Sequence, residues 1–239
     1  MNARKNLLDE LICSRHSVRA YVDKPVPRSC LTEVLDVAAK APSGSNMQPW
    51  KVYVLQGELK RILVQKVCAL HDELFLNPQK AQLYKPHYAY YPKEWVSPFL
   101  ERRRENGWGL YSLLGIERGE KEKMHQQHRK NFEFFGAPVG LFFTAHRSLE
   151  GGALIDYGMF LQNLMLAAKG RGLGTCPQAA WNSFSEVIMS HIGASEHEKL
   201  ICGMSLGWPD NAQLINSFGT PRLSADAFTT WLDDETIDG

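Results

Sequence analysis

Apolar residues recur at helical spacing in three parts of the chain. They do so over residues 7–12, over residues 30–39, where Pro42 then disfavours further helix, and over residues 154–168, just before a group of glycines. Side chains three and four positions apart share one face of a helix, so each pattern predicts an amphipathic helix. The third stripe is broad, which indicates a helix packed between other elements.

Short apolar runs between these segments predict strands. In residues 50–55, Val52 and Val54 lie on one face and polar or amphipathic residues on the other, as in a half-buried strand. Residues 138–144 and 200–206 are apolar throughout, which suits strands buried on both faces. Helices alternate with strands, without repeats or a clear linker, so the pattern predicts a chain of the α/β or α+β class.

The middle of the chain has a different character. Helical patterns over residues 61–131 are interrupted by a stretch rich in aromatic residues and proline, residues 84–99. Long irregular segments inside a domain are often lids or binding loops. We therefore expect one domain over residues 1–239, with a helical and aromatic insert at about residues 80–130.

The composition fits a folded protein with a substantial core. The chain has 239 residues, of which 44% are hydrophobic and 22% charged. Its first residues lack an apolar segment that ends in a small-residue cleavage site, and no run approaches the ~20 apolar residues that a bilayer core requires. We expect a cytoplasmic protein that has no membrane partner.

Charge and cysteine usage narrow the function classes further. The net charge of +1 gives no general attraction to nucleic acid, and the basic run at residues 102–104 is flanked by Glu101 and Glu105, as on a solvated helix face. The five cysteines are widely spaced and contain no CxxC pair. An odd number in a chain of this size favours buried thiols over disulfides.

Three segments that are distant in sequence carry groups suited to an anionic cofactor. The first contains Arg15, His16, Ser17 and Arg19. Arginine is a rigid bidentate donor to phosphate, and the imidazole and hydroxyl are suited to a sugar chain. A polar helix end explains the same residues, so both interpretations stay open on this segment alone.

The second segment is the loop before the first predicted strand. It contains Pro42, Ser43, Gly44, Asn46 and Gln48. Small residues let the backbone approach a ligand closely, and amide and hydroxyl groups can bond to a ring edge. An ordinary turn between a helix and a strand is the alternative interpretation.

The third segment is glycine-rich, GRGLGTCPQ at residues 170–178. A dinucleotide-binding fingerprint requires GxGxxG after a strand and before a helix. These glycines follow a helix and have a different spacing, so a Rossmann-type site is rejected.

Together, the motifs resemble those of the nitroreductase family in content and order. They are RHSVR at residues 15–19, PSGSNMQPW at 42–50, GLGTCP at 172–177 and PR at 221–222, and the resemblance covers roughly residues 7–228. The insert is similar to that of the branch containing nitrobenzoate-type reductases. The resemblance implies an α+β sandwich, with a central, mostly antiparallel sheet flanked by helices, that forms an intertwined homodimer.

The resemblance assigns the first motif and the C-terminal arginine to tightly bound FMN. Arg15, His16, Ser17 and Arg222 are implied to hold its phosphate and ribityl chain. Arg19 is implied to lie near N1 and the C2 carbonyl of the flavin. A cation there would stabilise the anionic reduced flavin.

The second motif is assigned to the partner subunit's flavin. Pro42, Ser43, Gly44 and Asn46, with Gln48 beside them, are implied to reach the isoalloxazine ring across the dimer. The resemblance thus predicts a homodimer whose active sites are shared between subunits.

The third motif leads into the segment that is implied to line the flavin near N5. This segment is Pro177, Gln178, Ala179 and Ala180. Family members carry an acidic residue at the position of Ala179, and its absence leaves the backbone N–H groups near Ala179 and Ala180 as the implied donors. No catalytic side chain is then expected, because the chemistry belongs to the flavin.

Two further positions complete the implied cofactor site. Thr220 stands where some relatives have a second phosphate-binding lysine, so phosphate affinity is expected to rest more on Arg222. Arg129 and Asn131 are near the positions that contact the flavin's pyrimidine edge in relatives.

The implied reaction is ping-pong hydride transfer from NADH or NADPH through FMN to a nitroaromatic acceptor, such as a nitrobenzoate, or to a quinone. The aromatic insert would stack on this small planar acceptor, and arginines 102–104 would attract a carboxylate. The alternative is that these rings only pack the insert onto the dimer. The predicted pocket residues are Tyr91, Trp95, Arg103, Trp108 and Tyr111.

Two other functions stay open. One keeps the flavin but changes the chemistry, to reductive dehalogenation, flavin fragmentation or ring dehydrogenation. The other is a flavin-binding protein without turnover.

Two competing motifs are rejected. Residues 203–207 spell GxSxG, but Pro209 blocks the helix that should follow, and no histidine occurs after His197. His125 and His128 have helical spacing but lack a third convincing ligand, so an exposed polar face is favoured and no metal is predicted.

Overall fold

The computed structural model describes residues 6–232 of the chain. The two ends of the predicted domain, residues 1–5 and 233–239, lie outside the described residues. The helices are α1 (Leu7–Ser14), α2 (Arg28–Ala38), α3 (Gly57–Leu76), α4 (Phe99–Leu113), α5 (Lys121–Arg129), α6 (Gly151–Lys169) and α7 (Ser185–His191). The strands are β1 (Lys51–Leu55), β2 (Val139–His146), β3 (Gly174–Gln178) and β4 (Glu198–Gly207).

The three helices and three strands predicted from apolar periodicity are confirmed, as α1, α2, α6, β1, β2 and β4. β3 was not predicted, because its sequence GTCPQ has neither an apolar run nor an alternation. Proline has no N–H to donate to a neighbouring strand, so it is rare in central strands. Pro177 is tolerated because β3 is an edge strand.

The strands form an antiparallel sheet in the order β1-β2-β4-β3. The predicted antiparallel α+β arrangement is therefore confirmed. The β2–β4 ladder shifts register between Phe143 and Thr144. β2 and β4 lie in the middle and are buried along nearly their whole length, in agreement with their uninterrupted apolar sequences.

Period-two alternation along β2 divides the core into two clusters. Leu141 and Phe143 face the cluster that α2 and α6 cover, whereas Phe142 faces the cluster that contains Trp181 and residues of α3 and α7. Helices thus cover both faces of the sheet. Tyr157 ties α6 to the sheet, since its hydroxyl accepts a hydrogen bond from the backbone N–H of Lys51 at 2.9 Å.

Some expectations about single residues are corrected. Cys13 is exposed, so the expectation of buried thiols is wrong for it, although Cys68, Cys176 and Cys202 are buried. The side chain of His125 is only 8% exposed, because α5 packs it against α3, so the expectation of an exposed polar face there is wrong.

Two further observations concern the classes rejected from sequence. Ser205 of the GxSxG motif lies inside β4 and is fully buried, with its Oγ 2.8 Å from the hydroxyl of Tyr21. Within residues 6–232, none of the helices combines the length and apolar character that crossing a bilayer demands.

Candidate functional site

The segment after α1 is extended and lies along the open edge of β3. Ser17 forms a bridge with Thr175, and the backbone N–H of Val18 donates to the carbonyl of Thr175 at 3.0 Å. A Cβ at Gly174 would lie only 2.6 Å from Cγ2 of Val18, so this approach requires glycine. The first and third sequence motifs are therefore neighbours in the structure.

A cavity of about 560 Å³ lies between this segment and the C-terminal part of the chain. Its lining includes the predicted phosphate and ribityl contacts Arg15, His16, Ser17, Arg19 and Arg222. The fold thus brings together cations from both ends of the chain. We call these five residues the cationic cluster.

The charge of this cluster is not balanced by nearby acids. Among residues 6–232, Arg15, Arg19 and Arg222 form no salt bridge with a carboxylate. Burial lowers the pKa of Arg15, and the nearby guanidinium of Arg222 lowers it further. Cations held together without acidic partners, in a cavity, are the electrostatic signature of an anion site.

His16 adds an unsatisfied nitrogen to the cluster. Its Nδ1 lies 3.3 Å from the carbonyl oxygen of Ser14, whereas its Nε2 is buried and lacks a hydrogen-bond partner within the described part of the chain. A buried polar atom without a partner is rare in native proteins and calls for a ligand or water. The residues present fit a phosphate-bearing cofactor such as FMN.

Two side chains position this cluster. One, Thr220, was noted in the sequence only as the replacement of a lysine, and the other, Asn216, was missed. Thr220 holds Arg222, whose Nη1 donates to its Oγ1 at 2.6 Å. Asn216 is buried and joins the two chain segments, since its Oδ1 accepts from the backbone N–H of Arg19 at 2.7 Å and its Nδ2 donates to the carbonyl of Ala20 at 2.8 Å. No local sequence signal marks Asn216, because its partners are far away in sequence.

The other end of β3 opens onto a second cavity, of about 580 Å³. The predicted segment Pro177, Gln178, Ala179 and Ala180 lines it, together with Asn131. A smaller cavity of about 240 Å³, lined by residues 172–175 and by Arg15 and His16, lies beside the cationic cluster. Two residues of the cluster thus lie beside the start of β3, and the segment at its end lines a separate cavity.

The side-chain amide of Gln178 is hydrogen-bonded to other residues of the protein. Its Nε2 donates to the carbonyl of Asn131 at 2.6 Å, and its Oε1 accepts from Nε1 of Trp181 at 3.3 Å. Because these bonds occupy its buried amide, Gln178 fixes the cavity wall. What this segment offers a ligand is therefore mainly its backbone.

Arg129 is held apart from this wall. Its Nε donates to Oδ2 of Asp72 at 3.0 Å, and its Nη1 contacts Glu133. The structure brings Asn131 into the cavity lining but directs the guanidinium of Arg129 to carboxylates.

The loop of the second motif lies apart from the three cavities in a single chain. Ser45, Asn46 and Gln48 have positive φ angles of 50°, 56° and 48°. The loop is fastened at two points: Ser43 Oγ accepts from the backbone N–H of Gln48 at 2.9 Å, and the N–H of Gly44 donates to the buried carboxylate of Asp156 at 3.3 Å. Left-handed backbone at non-glycine residues is strained and clusters at functional sites.

The predicted acceptor residues fall into two groups. Tyr91 lines the second cavity and contacts Trp95, with ring centroids 5.5 Å apart, and the guanidinium of Arg103 lies 4.8 Å from the Trp95 ring. Trp108 and Tyr111 contact each other on α4, with centroids 5.8 Å apart, outside the second cavity.

Sequence reasoning missed two cavity residues, Tyr88 and Tyr90, although both belong to the aromatic stretch that it singled out. The hydroxyl of Tyr88 donates to the carbonyl of Ile201 at 2.8 Å, which holds this part of the insert on β4.

An antiparallel sheet covered by helices on both faces, with a cation-lined cavity and a second cavity beside one edge strand, defines an α+β protein with a candidate site for a phosphate-bearing ligand. The chain belongs to the nitroreductase family, whose model matches residues 12–208.

Individual relatives cover nearly the whole chain. It is 39% identical over 228 residues to 4-nitrobenzoate reductase of Nocardioides sp. (strain LMS-CY), which is 95% of this chain and 90% of that protein. It is 37% identical to the chloronitrobenzene nitroreductase of Comamonas testosteroni, over 94% of this chain and 96% of that protein. The crystal structure of the FMN- and NADPH-dependent nitroreductase NfnB from Sphigopyxis sp. strain HMH superposes with a TM-score of 0.87 at 33% identity, covering 94% of this chain and 98% of that one.

Proposed function

We propose that the protein is an FMN-dependent NAD(P)H oxidoreductase that reduces nitroaromatic acceptors. The observation that carries the proposal is the cationic cluster at one end of β3 and the backbone wall at the other, in a chain of the nitroreductase family. The names of its relatives, which include a nitrobenzoate reductase and an FMN- and NADPH-dependent nitroreductase, support the same cofactors and acceptor class.

Each part of the site has a physical task. Arg15, His16 and Arg222 bind the phosphate, and Nε2 of His16 gains the partner that it lacks. Arg19 provides positive charge, which favours electron-rich states of a bound ring system. Bound FMN supplies the two-electron chemistry, accepting electrons from NADH or NADPH and passing them to the acceptor, and the protein contributes no nucleophile.

The insert supplies the acceptor wall in this proposal. The exposed ring of Tyr91 beside Ala179 and Ala180 offers a stacking surface, and the ring contact to Trp95 extends it. Arg103 stacks on Trp95 and forms no salt bridge with described residues, so its charge is available for an aromatic carboxylate.

The test is reduction under anaerobic conditions. Purified protein loaded with FMN should be yellow, be bleached by NADH or NADPH, and regain its colour when 4-nitrobenzoate is added. Steady-state initial rates should follow ping-pong kinetics. Quinone and halophenol acceptors run in parallel separate this chemistry from the other flavin reactions. Protein that stays colourless after FMN is added would overturn the flavoenzyme proposal, and yellow protein that NAD(P)H does not bleach would indicate a flavin-binding protein without turnover.

We further propose a homodimer in which the loop at residues 42–48 completes the partner's site. The loop is strained and lies apart from the three cavities described above, and Ser43 Oγ and the carboxylate of Asp156 fasten it by side-chain hydrogen bonds. Such a conformation needs support from its surroundings. A flavin held by the partner's Arg15 would provide contacts of the required kind.

Mixed dimers test this arrangement. Subunits carrying Arg15→Ala with Arg222→Ala, and subunits carrying Ser43→Ala with Asn46→Ala, should each give weakly active homodimers. A heterodimer of the two contains one intact site if sites are shared, so its activity should rise to about half that of the wild type. Activity that stays at the mean of the two parents would refute sharing.

We place the enzyme in the cytoplasm, where its proposed reductants NADH and NADPH are produced. Cell fractionation tests this location.

A further inference from the structure

A cluster of imidazoles and one carboxylate lies between α3 and α5. His71 and Asp72 are consecutive on α3, and His125 lies on α5, with its Nε2 2.8 Å from Oδ1 of Asp72. One ring nitrogen from each histidine and one oxygen of Asp72 all lie within 4.8 Å of one another. His125 thus meets two candidate ligands from α3, some 50 positions earlier in the chain, which no local sequence pattern shows.

One of these nitrogens has no partner. Nε2 of His71 lies 2.9 Å from Nδ1 of His128, whereas Nδ1 of His71 is buried and finds no hydrogen-bond partner in residues 6–232. A metal-binding histidine commonly donates its other ring N–H to a neighbour, which leaves the ligating nitrogen with a free lone pair. If Nε2 of His71 donates to His128, the lone pair of its Nδ1 is free to bind an ion.

Aromatic neighbours pack around both rings. His71 and His125 stack with ring centroids 4.4 Å apart at 8°, so one of the two rings must turn out of the stack before both lone pairs can point at one ion. Phe75 stacks on His125 at 4.2 Å, and Phe132 packs against His71 at 4.8 Å. The His71 side chain is only 14% exposed, so its ring is held largely inside the protein.

The local charge also suits a dication. The positive charge of Arg129, which pairs with Oδ2 of Asp72, is offset by Glu133. The charges of Asp72, Arg129 and Glu133 sum to one negative charge. Oδ1 of Asp72 faces His125, and the Asp72 side chain is 42% exposed, which leaves a path for an ion from solvent.

We propose that Nδ1 of His71, Oδ1 of Asp72 and Nε2 of His125 form a binding site for a divalent transition-metal ion of the Zn²⁺ type. Two nitrogens and one oxygen, with water in the fourth position, match the ligand preference of Zn²⁺. Tetrahedral ligand atoms at ~2.0–2.1 Å from zinc lie roughly 3.4 Å apart. To bind the ion, the three ligand atoms must approach one another by about 1 Å, and one of the two stacked rings must rotate so that its lone pair points at the ion. The ion replaces the His125–Asp72 hydrogen bond and joins α3 to α5.

The experiment is Zn²⁺ titration of the holoenzyme after chelator treatment and dialysis, followed by calorimetry and metal analysis. Wild-type protein should bind about one Zn²⁺ per chain. His71→Gln, His125→Gln and Asp72→Asn should each weaken binding at least tenfold, and Zn²⁺ should raise the Tm of the wild type but not of these variants.

His197→Gln is the matched control. His197 is 70% exposed, and its ring lies 5.9 Å from that of His146, the other histidine pair on which adventitious Zn²⁺ would settle. This variant should retain wild-type Zn²⁺ affinity. The proposal fails if the wild type binds no Zn²⁺, or if the α3 and α5 variants, shown to be folded by circular dichroism, bind it as the wild type does. An anomalous peak at the zinc edge between the three ligand atoms in a soaked crystal would support the site, and a peak elsewhere would overturn it.

Discussion

The close approach of Val18 to β3 links the stability of the fold to cofactor binding, and Gly174→Ala tests that link. A Cβ at Gly174 would lie 2.6 Å from Cγ2, 2.9 Å from Cβ and 3.0 Å from Cγ1 of Val18. Valine is branched at Cβ and is only 4% exposed here, so it has no free rotamer into which it can move. The backbone of residues 15–19 must therefore shift by about 1 Å to reach ordinary van der Waals separation.

Two contributions set the expected change in stability, and a third sets the change in the Kd for FMN. Overpacking costs about 1–3 kcal/mol, and replacing glycine returns about 0.4–1 kcal/mol by restricting the unfolded chain. The net loss of roughly 0–2.6 kcal/mol lowers Tm by up to about 10 °C for a chain of this size. If the shift breaks one charge-assisted hydrogen bond to the phosphate, worth about 1.5–3 kcal/mol, the Kd for FMN rises roughly 10- to 150-fold.

Both quantities are measurable on one preparation, Tm by differential scanning fluorimetry on apoprotein and Kd by quenching of FMN fluorescence. Gly158→Ala on α6 is the matched control, because apart from its chain neighbours and the backbone of its own helix no atom of residues 6–232 lies within 4 Å of its Cβ position. Combining Gly174→Ala with Val18→Ala removes two of the three contacting carbons and should restore part of the FMN affinity. If Gly174→Ala alone matches the wild type in Tm and Kd, the close approach does not position the cationic cluster.

Three further predictions concern single side chains. Arg222→Ala should raise the Kd for FMN roughly 10- to 150-fold, because it removes a phosphate contact. The Tm of the apoprotein should not fall, because the lost cation repels Arg15; a fall in apoprotein Tm together with the loss of FMN affinity would refute the role as a phosphate contact. Burial would raise the pKa of Glu198, but hydrogen bonds from Lys51, Thr144, Ser195 and Tyr53 outweigh it and hold the pKa at about 2. In urea unfolding, the stability that this carboxylate contributes should be present above about pH 4.5 and be lost as the pH falls towards 2. Glu198→Gln should flatten this dependence, and parallel curves for variant and wild type would contradict the reasoning. Tyr91→Leu should lower kcat/KM for 4-nitrobenzoate more than Trp108→Leu does, with the Kd for FMN unchanged, since Tyr91 alone of the two lines the second cavity; equal effects would argue against the wall.

Apolar periodicity was sufficient for the central strands and the helices that cover them. β2 and β4 are buried along nearly their whole length and are therefore apolar runs, whereas the buried residues of α6 recur at helical spacing. β3 escaped prediction, since an edge strand can contain Pro177 and little apolar surface. The cationic cluster was predicted through family resemblance. Without that resemblance, residues 15–19 fit either a polar helix end or a phosphate contact, because only the fold brings Arg222 close to them. Asn216 and the pairing of α3 with α5 are products of tertiary structure, and no local pattern marks them.

Unsatisfied groups are informative because the fold otherwise satisfies its buried polar atoms with few exceptions. Within residues 6–232, three buried side-chain atoms lack a partner: Nε2 of His16, Oδ1 of Asn182 and Nδ1 of His71. His16 lies in the cationic cluster, Asn182 lines the second cavity beside Ala180, and His71 faces Asp72 and His125. A buried group left unpaired costs about 1–3 kcal/mol, so a sequence under selection for stability alone would have paired or replaced each of them. Their positions follow from function if the first two meet FMN or its acceptor and the third meets a metal ion, and the Zn²⁺ and FMN titrations test these two assignments independently.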